Sequence, residues 1–221
     1  MKRVLVLRPE PGASATVEHA CRLGLDAVSV PLFEVEPVEW SAPDPTGFDG
    51  LLLTSANAVR YGGEGLERLR GLQAYAVGEA TAGTARDAGF DVVATGNSDV
   101  AGLLSSLPHG LKLLHLCGAD RREPERAPQE ITPVIVYRSR QIDALDLLSA
   151  TDCVALIHSP RAGRRFAQLV DDRTSIRIAA ISAAAAEACG TGWLSVDVAD
   201  EPADDALLAL AASLCNKPEP E

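Results

Sequence analysis

The feature that most constrains the fold of this chain is a recurrence of sequence landmarks at one fixed separation. Thr54 and His158, each followed by a serine after an apolar run, are 104 residues apart (158 − 54). Ala76 and Ala180, each within another apolar run, have the same separation (180 − 76). Because two landmarks share one offset, we infer an internal duplication. The chain therefore contains two copies of one structural unit.

Each copy is predicted to alternate strands and helices. In both, an apolar strand ends at a small residue, Gly78 or Ser182, and an Ala-rich helix follows that is closed by glycine. The second copy lacks the last strand of the first, at residues 112–117. The N-terminal run at residues 2–7 matches that strand in length and apolar character. One domain is therefore predicted to be discontinuous and built from both chain ends.

Strands that are apolar on both faces and alternate with helices indicate parallel sheets covered on both sides. The predicted fold class is α/β, with two flavodoxin-like or Rossmann-like parallel-sheet domains joined by a two-stranded β linker. The predicted discontinuous domain comprises residues 1–32 and 140–221, and the inserted domain comprises residues 38–131. The linkers, at 31–38 and 132–139, combine proline with β-branched residues and are expected to pair as an antiparallel ribbon.

Composition narrows the function classes. The 221 residues, 47% of them hydrophobic, suffice for two cores of about 100 residues each. Five cysteines without a Cys-x-x-Cys pair favour reduced core thiols over a disulfide framework or a zinc site. A net charge of −11 argues against a nucleic-acid partner. No apolar run has the length of a membrane span and no signal-peptide pattern is present, so we expect a cytoplasmic protein with no membrane partner.

The expected site lies at the carboxyl ends of the strands, beside helix N-termini, where parallel sheets bind ligands. With two domains, the natural place is the cleft between them. The residues that fall at these strand ends are Arg8, Thr54, Ser55, Gly78, Ser98, Gly118, Ser159 and Ser182.

Several common chemistries are unsupported by motifs. No Gly-x-Gly-x-x-Gly opens a helix, and neither a phosphate-binding loop nor a Gly-x-Ser-x-Gly elbow occurs. The histidines have no metal-ligand spacing, and His115 and His158 are predicted to be packed within apolar strands. An enzyme with this sequence is expected to work without a metal or nucleotide cofactor.

Six motifs, in this order along the chain, together resemble the uroporphyrinogen-III synthase family over nearly the whole sequence. They are TSANAV at 54–59, VGEATA at 77–82, GNS at 96–98, HLCGADRR at 115–122, VIVYRS at 134–139 and HSPRA at 158–162. The family's fold, two parallel α/β domains joined by a two-stranded ribbon, agrees with the organisation inferred above.

The resemblance implies a cofactor-independent lyase of porphyrin biosynthesis. Its reaction cyclises hydroxymethylbilane to uroporphyrinogen III with loss of water and inversion of the terminal pyrrole ring, through an azafulvene and a spiro intermediate. The implied partners are this anionic linear tetrapyrrole and, for its transient hand-over, hydroxymethylbilane synthase. The chain is expected to be a monomer.

The resemblance also assigns roles to two side chains. Tyr137, in the VYRS motif, matches the tyrosine that the family uses and is the candidate general acid. Thr81 matches a threonine that contacts substrate in the family. The alternatives are that Tyr137 packs in the linker for stability, and that Thr81 is a first-turn helix residue bonded to a nearby carbonyl.

The remaining candidates bind the substrate. Arg8 and Arg161 are predicted to pair with its carboxylates, whereas Arg121 and Arg122 are interpreted as solvated loop charges. Ser55, Ser159 and Ser182 lie where helix N-termini offer backbone N–H groups. The alternative for Ser55 and Ser159 is that they are only helix caps, the commoner use of serine at such a turn. The family often has threonines where this chain has Ala184 and Ala185, which shifts the expected contacts towards backbone amides.

A second function class shares the same fold. A non-catalytic, cytoplasmic, two-lobed sensor that binds an anionic small molecule also needs two parallel α/β domains and an anion site. Product analysis with hydroxymethylbilane separates the two hypotheses, because only an enzyme changes the isomer that forms.

Overall fold

The protein is described by a computed structural model, which covers residues 2–96, 99–121, 127–143 and 151–217. The chain divides into two compact units, residues 1–34 with 141–221 and residues 35–140. Both are α/β units built on a sheet that is parallel in all the pairings described for it, which confirms the predicted α/β class with parallel sheets. No helix in the described ranges combines the length and apolar character that crossing a membrane requires.

The strands are numbered in chain order. They are β1 (Arg3–Val6), β2 (Ala27–Ser29), β3 (Phe33–Pro37), β4 (Gly50–Leu53), β5 (Ala74–Val77), β6 (Val92–Gly96), β7 (Lys112–Gly118), β8 (Glu130–Gln141), β9 (Cys153–Ile157), β10 (Arg177–Ala180) and β11 (Ser195–Val198).

The α-helices are numbered in the same way. They are α1 (Gly12–Arg22), α2 (Ala56–Tyr61), α3 (Glu79–Asp87), α4 (Val100–Ser106), α5 (Pro160–Leu169), α6 (Ala183–Glu187) and α7 (Asp204–Asn216), with 3₁₀ turns at Pro45–Gly47 and Gly63–Leu69.

The sheet of the first unit has the strand order β11-β10-β9-β1-β2. The N-terminal strand β1 lies between β9 and β2 and is parallel to both, so this sheet is built from both ends of the described chain. Successive side chains of β1 and β9 point to opposite faces, and both faces are apolar. Leu5 packs with Phe166 of α5, whereas Val4 and Val6 pack with Leu207 of α7.

The sheet of the second unit has the order β3-β8-β7-β4-β5-β6. Leu51 and Leu53 pack against α2 and α3 residues on one face, and Leu52 packs against Leu103 and Leu104 of α4 on the other. The strand β8 extends beyond the predicted linker at 132–139. It runs parallel to β7 from Glu130 to Tyr137 and extends the sheet on that side. Its β-branched residues favour the extended conformation.

Candidate functional site

A pocket of about 340 Å³ lies in the second unit, where β4 and β7 end and α4 begins. It brings together four of the residues predicted from the sequence. Its lining consists of Thr54, Ser55, Val77, Asp99, Val100, His115, Cys117, Gly118, Ala119, Asp120, Arg121, Tyr137 and Ser139. These residues converge because β4, β7 and β8 are neighbouring parallel strands whose carboxyl ends share one edge of the sheet.

Tyr137 enters the pocket against a glycine. A Cβ on Gly118 would lie 2.6 Å from Cε2 of the Tyr137 ring and 3.0 Å from its hydroxyl oxygen, so only glycine leaves the ring this position. The ring of Tyr61 lies 6.4 Å from that of Tyr137, tilted by 37°. No hydrogen bond to the Tyr137 hydroxyl is formed within the described ranges.

His115 is buried in β7 and touches the pocket. Its Nε2 lies 2.9 Å from Oγ1 of Thr54, on the neighbouring strand end. Burial, and then the positive charge of Arg121, lower the pKa of His115 from 6.5 to about 4. The imidazole is therefore neutral at pH 7, and it pairs with Thr54 without adding charge. His115 is therefore buried, as predicted, and it also lines the pocket.

Charged side chains complete the lining. Arg121, predicted from the sequence to be a solvated loop charge, follows β7 at the same sheet edge and is part of the pocket lining. Asp99 and Asp120 bring negative charge, and Asp99 also caps α4 by accepting a hydrogen bond from the backbone N–H of Gly102. Arg122, the other predicted loop charge, lies outside the described residues.

Two of the predicted residues of this unit, Ser55 and Thr81, lie at the starts of helices. Ser55 lines the pocket, but its hydroxyl accepts from the backbone N–H of Asn57 and caps α2. Thr81 is buried in the first turn of α3, and the pocket lining does not include it. Ser98 lies outside the described residues.

The candidates of the first unit lie at its own strand ends. The hydroxyls of Ser159 and Ser182 cap α5 and α6 by accepting from backbone N–H groups. For Ser159 this is the cap role that the sequence left open. The guanidinium of Arg161 lies 4.3 Å from the centre of the Phe33 ring, a cation–π contact.

Arg8 belongs to a polar cluster at the end of β1. Its Nη1 lies 3.1 Å from Oδ1 of Asp204, the first residue of α7. His158 Nε2 lies 2.9 Å from the same oxygen, and the hydroxyl of Thr16 donates to the other oxygen at 2.7 Å. The hydrogen bond from His158, with further contributions from Thr16 and Arg8, lowers the pKa of Asp204 from 3.8 to about 2 despite its burial.

Sequence reasoning missed Asp204 and placed His158 within its strand rather than after it. The structure ends β9 at Ile157, which leaves His158 at the sheet edge where it reaches Asp204. An acidic residue at the start of a helix was visible in the sequence, but it has the ordinary role of stabilising a helix N-terminus. Only the fold brings it to Arg8.

The described residues were also compared with the requirements of a metal site. Among the residues that the structure describes, no group of three or more His, Cys, Asp or Glu side chains is arranged to hold a metal ion.

Solved structures show where this fold has been seen. The uroporphyrinogen-III synthetase of Helicobacter pylori is 20% identical, with a TM-score of 0.69, over 97% of this chain and 100% of that one. A mutant uroporphyrinogen III synthase of the extremely thermophilic bacterium Thermus thermophilus is 18% identical, with a TM-score of 0.52, over 98% of this chain and 100% of that one. At these identities the likeness shows the fold alone.

Sequence comparisons give the family. A curated relative, the uroporphyrinogen-III synthase of Chlorobaculum parvum, is 36% identical over 90 residues. That match spans 37% of this chain and 37% of the relative, so it covers little more than a third of the relative's length. The family model described as uroporphyrinogen-III synthase HemD matches residues 14–209, which is most of the chain. The chain therefore belongs to the uroporphyrinogen-III synthase family.

Proposed function

We propose that this protein cyclises hydroxymethylbilane to uroporphyrinogen III, with loss of water and inversion of the terminal pyrrole ring. The observation that carries the proposal is the family match over residues 14–209, within which the Tyr137 pocket lies. The activity is that of a lyase in porphyrin and heme biosynthesis.

The chemistry begins with departure of the substrate's hydroxyl group. Tyr137 is the proposed acid: its O–H donates a proton to the leaving oxygen as the carbon–oxygen bond breaks, and water departs. The cationic azafulvene that remains is stabilised by negative charge, and Asp99 and Asp120 line the same pocket. Neutral His115 adds no repulsive positive charge to this cation.

Ring closure then depends on orientation. The substituted carbon of the terminal ring attacks the azafulvene, and the resulting spiro intermediate rearranges and loses a proton, which can return to Tyr137. The unaided reaction closes without inversion, so the protein must hold the bilane in the inverting geometry. Polar groups at the strand ends, including Thr54, are the proposed means of holding it.

We propose that the first unit binds the substrate mainly through arginine side chains and backbone N–H groups. Ala184 and Ala185 carry no hydroxyl, and the hydroxyl of Ser182 is already engaged in capping α6. Arg8 and Arg161 supply positive charge for the substrate's carboxylates. A net charge of −11 makes such local positive charge necessary for binding a polycarboxylate.

The test is an isomer analysis of the product. The purified protein is supplied with hydroxymethylbilane, the products are oxidised, and type I and type III uroporphyrin are separated by chromatography. We expect mainly type III. Type I alone, at the rate seen without protein, would contradict the proposal and would favour the sensor hypothesis, which binding of hydroxymethylbilane without turnover would then support.

A variant pair tests the proposed acid. A well-placed general acid contributes about 10²–10⁴-fold, so we expect Tyr137→Phe to lower kcat by about that factor. The matched control is Tyr61→Phe, because this ring lies 6.4 Å from that of Tyr137. If kcat falls only slightly, and equally, in both variants, Tyr137 has a packing role.

We further propose that the protein acts in the cytoplasm as a monomer and receives its substrate by transient hand-over from hydroxymethylbilane synthase. Cell fractionation and light scattering test the first two statements. For the hand-over, a coupled assay with an added trap for free hydroxymethylbilane is suitable. Complete loss of type III product to the trap would contradict it.

A further inference from the structure

Arg8 is held from one side only. Its Nη1 donates to Oδ1 of Asp204 at 3.1 Å and lies 3.4 Å from the hydroxyl of Thr16. Thr16 is 1% exposed and also donates to the other oxygen of Asp204. The guanidinium is therefore anchored by two groups that are themselves joined to each other.

The opposite edge of the guanidinium is open. Among the residues that the structure describes, Nε and Nη2 of Arg8 have no hydrogen-bond partner, and the unpartnered buried polar atoms belong to Gln129, His158 and Arg165. The side chain of Arg8 is 36% exposed, so its guanidinium reaches solvent. Its Nε and Nη2 present parallel N–H groups whose spacing matches the two oxygens of a carboxylate.

Gly12, the first residue of α1, leaves space beside this edge. A Cβ at residue 12 would lie 2.7 Å from Nε of Arg8 and 3.2 Å from Nη2. Any larger residue would therefore push the guanidinium away, although the arginine side chain is flexible enough for the fold to survive. The glycine thus permits the observed position of Arg8.

Neighbouring acids do not compete for this edge. Glu10 accepts hydrogen bonds from Ser14 and Ser29, and Asp205 lies 3.4 Å from His19. Asp204 accepts from His158 and Thr16 as well as from Arg8, so its negative charge is shared among three donors. The positive charge of Arg8 consequently remains available on its open side.

We propose that the Nε and Nη2 edge of Arg8 binds one carboxylate of the substrate, and that Asp204, Thr16 and His158 are positioning residues that preset this edge. The substrate identity rests on the function proposed above. The geometry itself requires only a carboxylate-bearing ligand. In this arrangement His158 acts through Asp204, whose carboxylate it holds by a hydrogen bond at 2.9 Å.

A purely structural ion pair, tying α7 to the end of β1, is the competing explanation. The two explanations predict different ligand affinities for variants that keep a positive charge at residue 8. Arg8→Lys retains a cation beside Asp204 but loses the paired N–H groups, and Gly12→Ala retains both partners but displaces the guanidinium. The matched control is Arg3→Lys, because Arg3 lies on the same strand and pairs with Asp26 at 3.1 Å.

The experiment measures binding and turnover separately in the full chain. Uroporphyrin III, a stable polycarboxylate, is titrated into each variant with tryptophan fluorescence as the readout, and KM and kcat are measured with hydroxymethylbilane. We expect Arg8→Lys and Gly12→Ala to raise the Kd and the KM about tenfold, as expected for one charge-assisted hydrogen-bonding contact, with kcat changed less than about twofold. Arg3→Lys should match the unaltered protein.

A double-mutant cycle tests the positioning role. Asp204→Asn should raise the Kd for uroporphyrin III about tenfold by itself and add little once Arg8→Lys is present. Kd values unchanged by Arg8→Lys and Gly12→Ala, in variants with an unaltered thermal midpoint, would overturn the assignment. Failure to form type III product would overturn the proposed function instead. The two outcomes are separable because the titration with uroporphyrin III measures binding to Arg8 and requires no catalytic activity.

Discussion

Gly118 and Tyr137 fit so closely that a Cβ on residue 118 would lie 2.6 Å from the tyrosine ring. The two residues are neighbours because β7 and β8 are parallel and a register shift at Cys117 and Gly118 sets Gly118 opposite Tyr137. The glycine therefore decides where the candidate acid points, although it contributes no side chain of its own.

We predict that Gly118→Ala displaces the Tyr137 ring and lowers kcat for type III formation by at least about tenfold, since a small misplacement of a catalytic group is costly. A second substitution, Gly71→Ala, is the control, because a Cβ at residue 71 has no atom within 4 Å. Rates and isomer ratios are measured for both variants. Full activity of Gly118→Ala would show that the ring position is unimportant.

The pairing of Thr54 with His115 leads to a prediction about stability. Thr54→Val preserves the shape of the side chain but leaves Nε2 of the buried imidazole without its partner at 2.9 Å. We expect the free energy of unfolding to fall by about 1–3 kcal/mol, the usual cost of an unpaired buried polar group. Denaturant titration of Thr54→Val and Thr54→Ser checks this, because the serine variant keeps the hydroxyl and should retain most of the stability.

The lowered pKa of His115 predicts how stability depends on pH. The pKa is about 6.5 in the unfolded chain and about 4 in the folded protein. Between these values the unfolded state binds more protons, so the free energy of unfolding decreases as the pH falls from 6.5 to 4, by up to about 3 kcal/mol. Above pH 6.5 the contribution of the neutral imidazole is complete.

A pair of histidine variants isolates this effect. Unfolding in urea is followed from pH 7 to pH 4 for His115→Gln and for His109→Gln, since His109 is exposed. The first variant should show a shallower dependence on pH than the unaltered protein, and the second should keep the original slope. Identical slopes in all three proteins would contradict the assignment to His115.

Phe166 is predicted to be a major contributor to the stability of the first unit. It is fully buried, and its ring stacks on that of Trp193 at a centroid distance of 5.3 Å and an angle of 8°. Phe166→Ala should lower the free energy of unfolding by about 3–5 kcal/mol, the range for deleting a buried aromatic ring. Val196→Ala is the control, because Val196 is 39% exposed. The Val196→Ala substitution should lower the free energy of unfolding by less than about 0.5 kcal/mol.

The candidate site was partly predictable from the sequence. Thr54, Ser55 and Gly118 were expected at strand ends, and they line one pocket with Tyr137 because carboxyl ends of neighbouring parallel strands share an edge. The pocket also includes Arg121, which looked like a loop charge because its neighbours in sequence are polar. Side-chain direction after a strand ends has no periodic signal, and it depends on the path of the following loop.

By itself, the sequence determined the α/β class, the parallel sheets and most element positions, because apolar periodicity and turn residues are local properties of the chain. The duplication also linked the N-terminal strand to the second copy. Tertiary structure alone decided that Arg8 pairs with Asp204, 196 residues away. It also decided that His115 meets Thr54 and that Tyr137 rests on Gly118. Such contacts depend on strand order and register, which arise only when distant segments pack together.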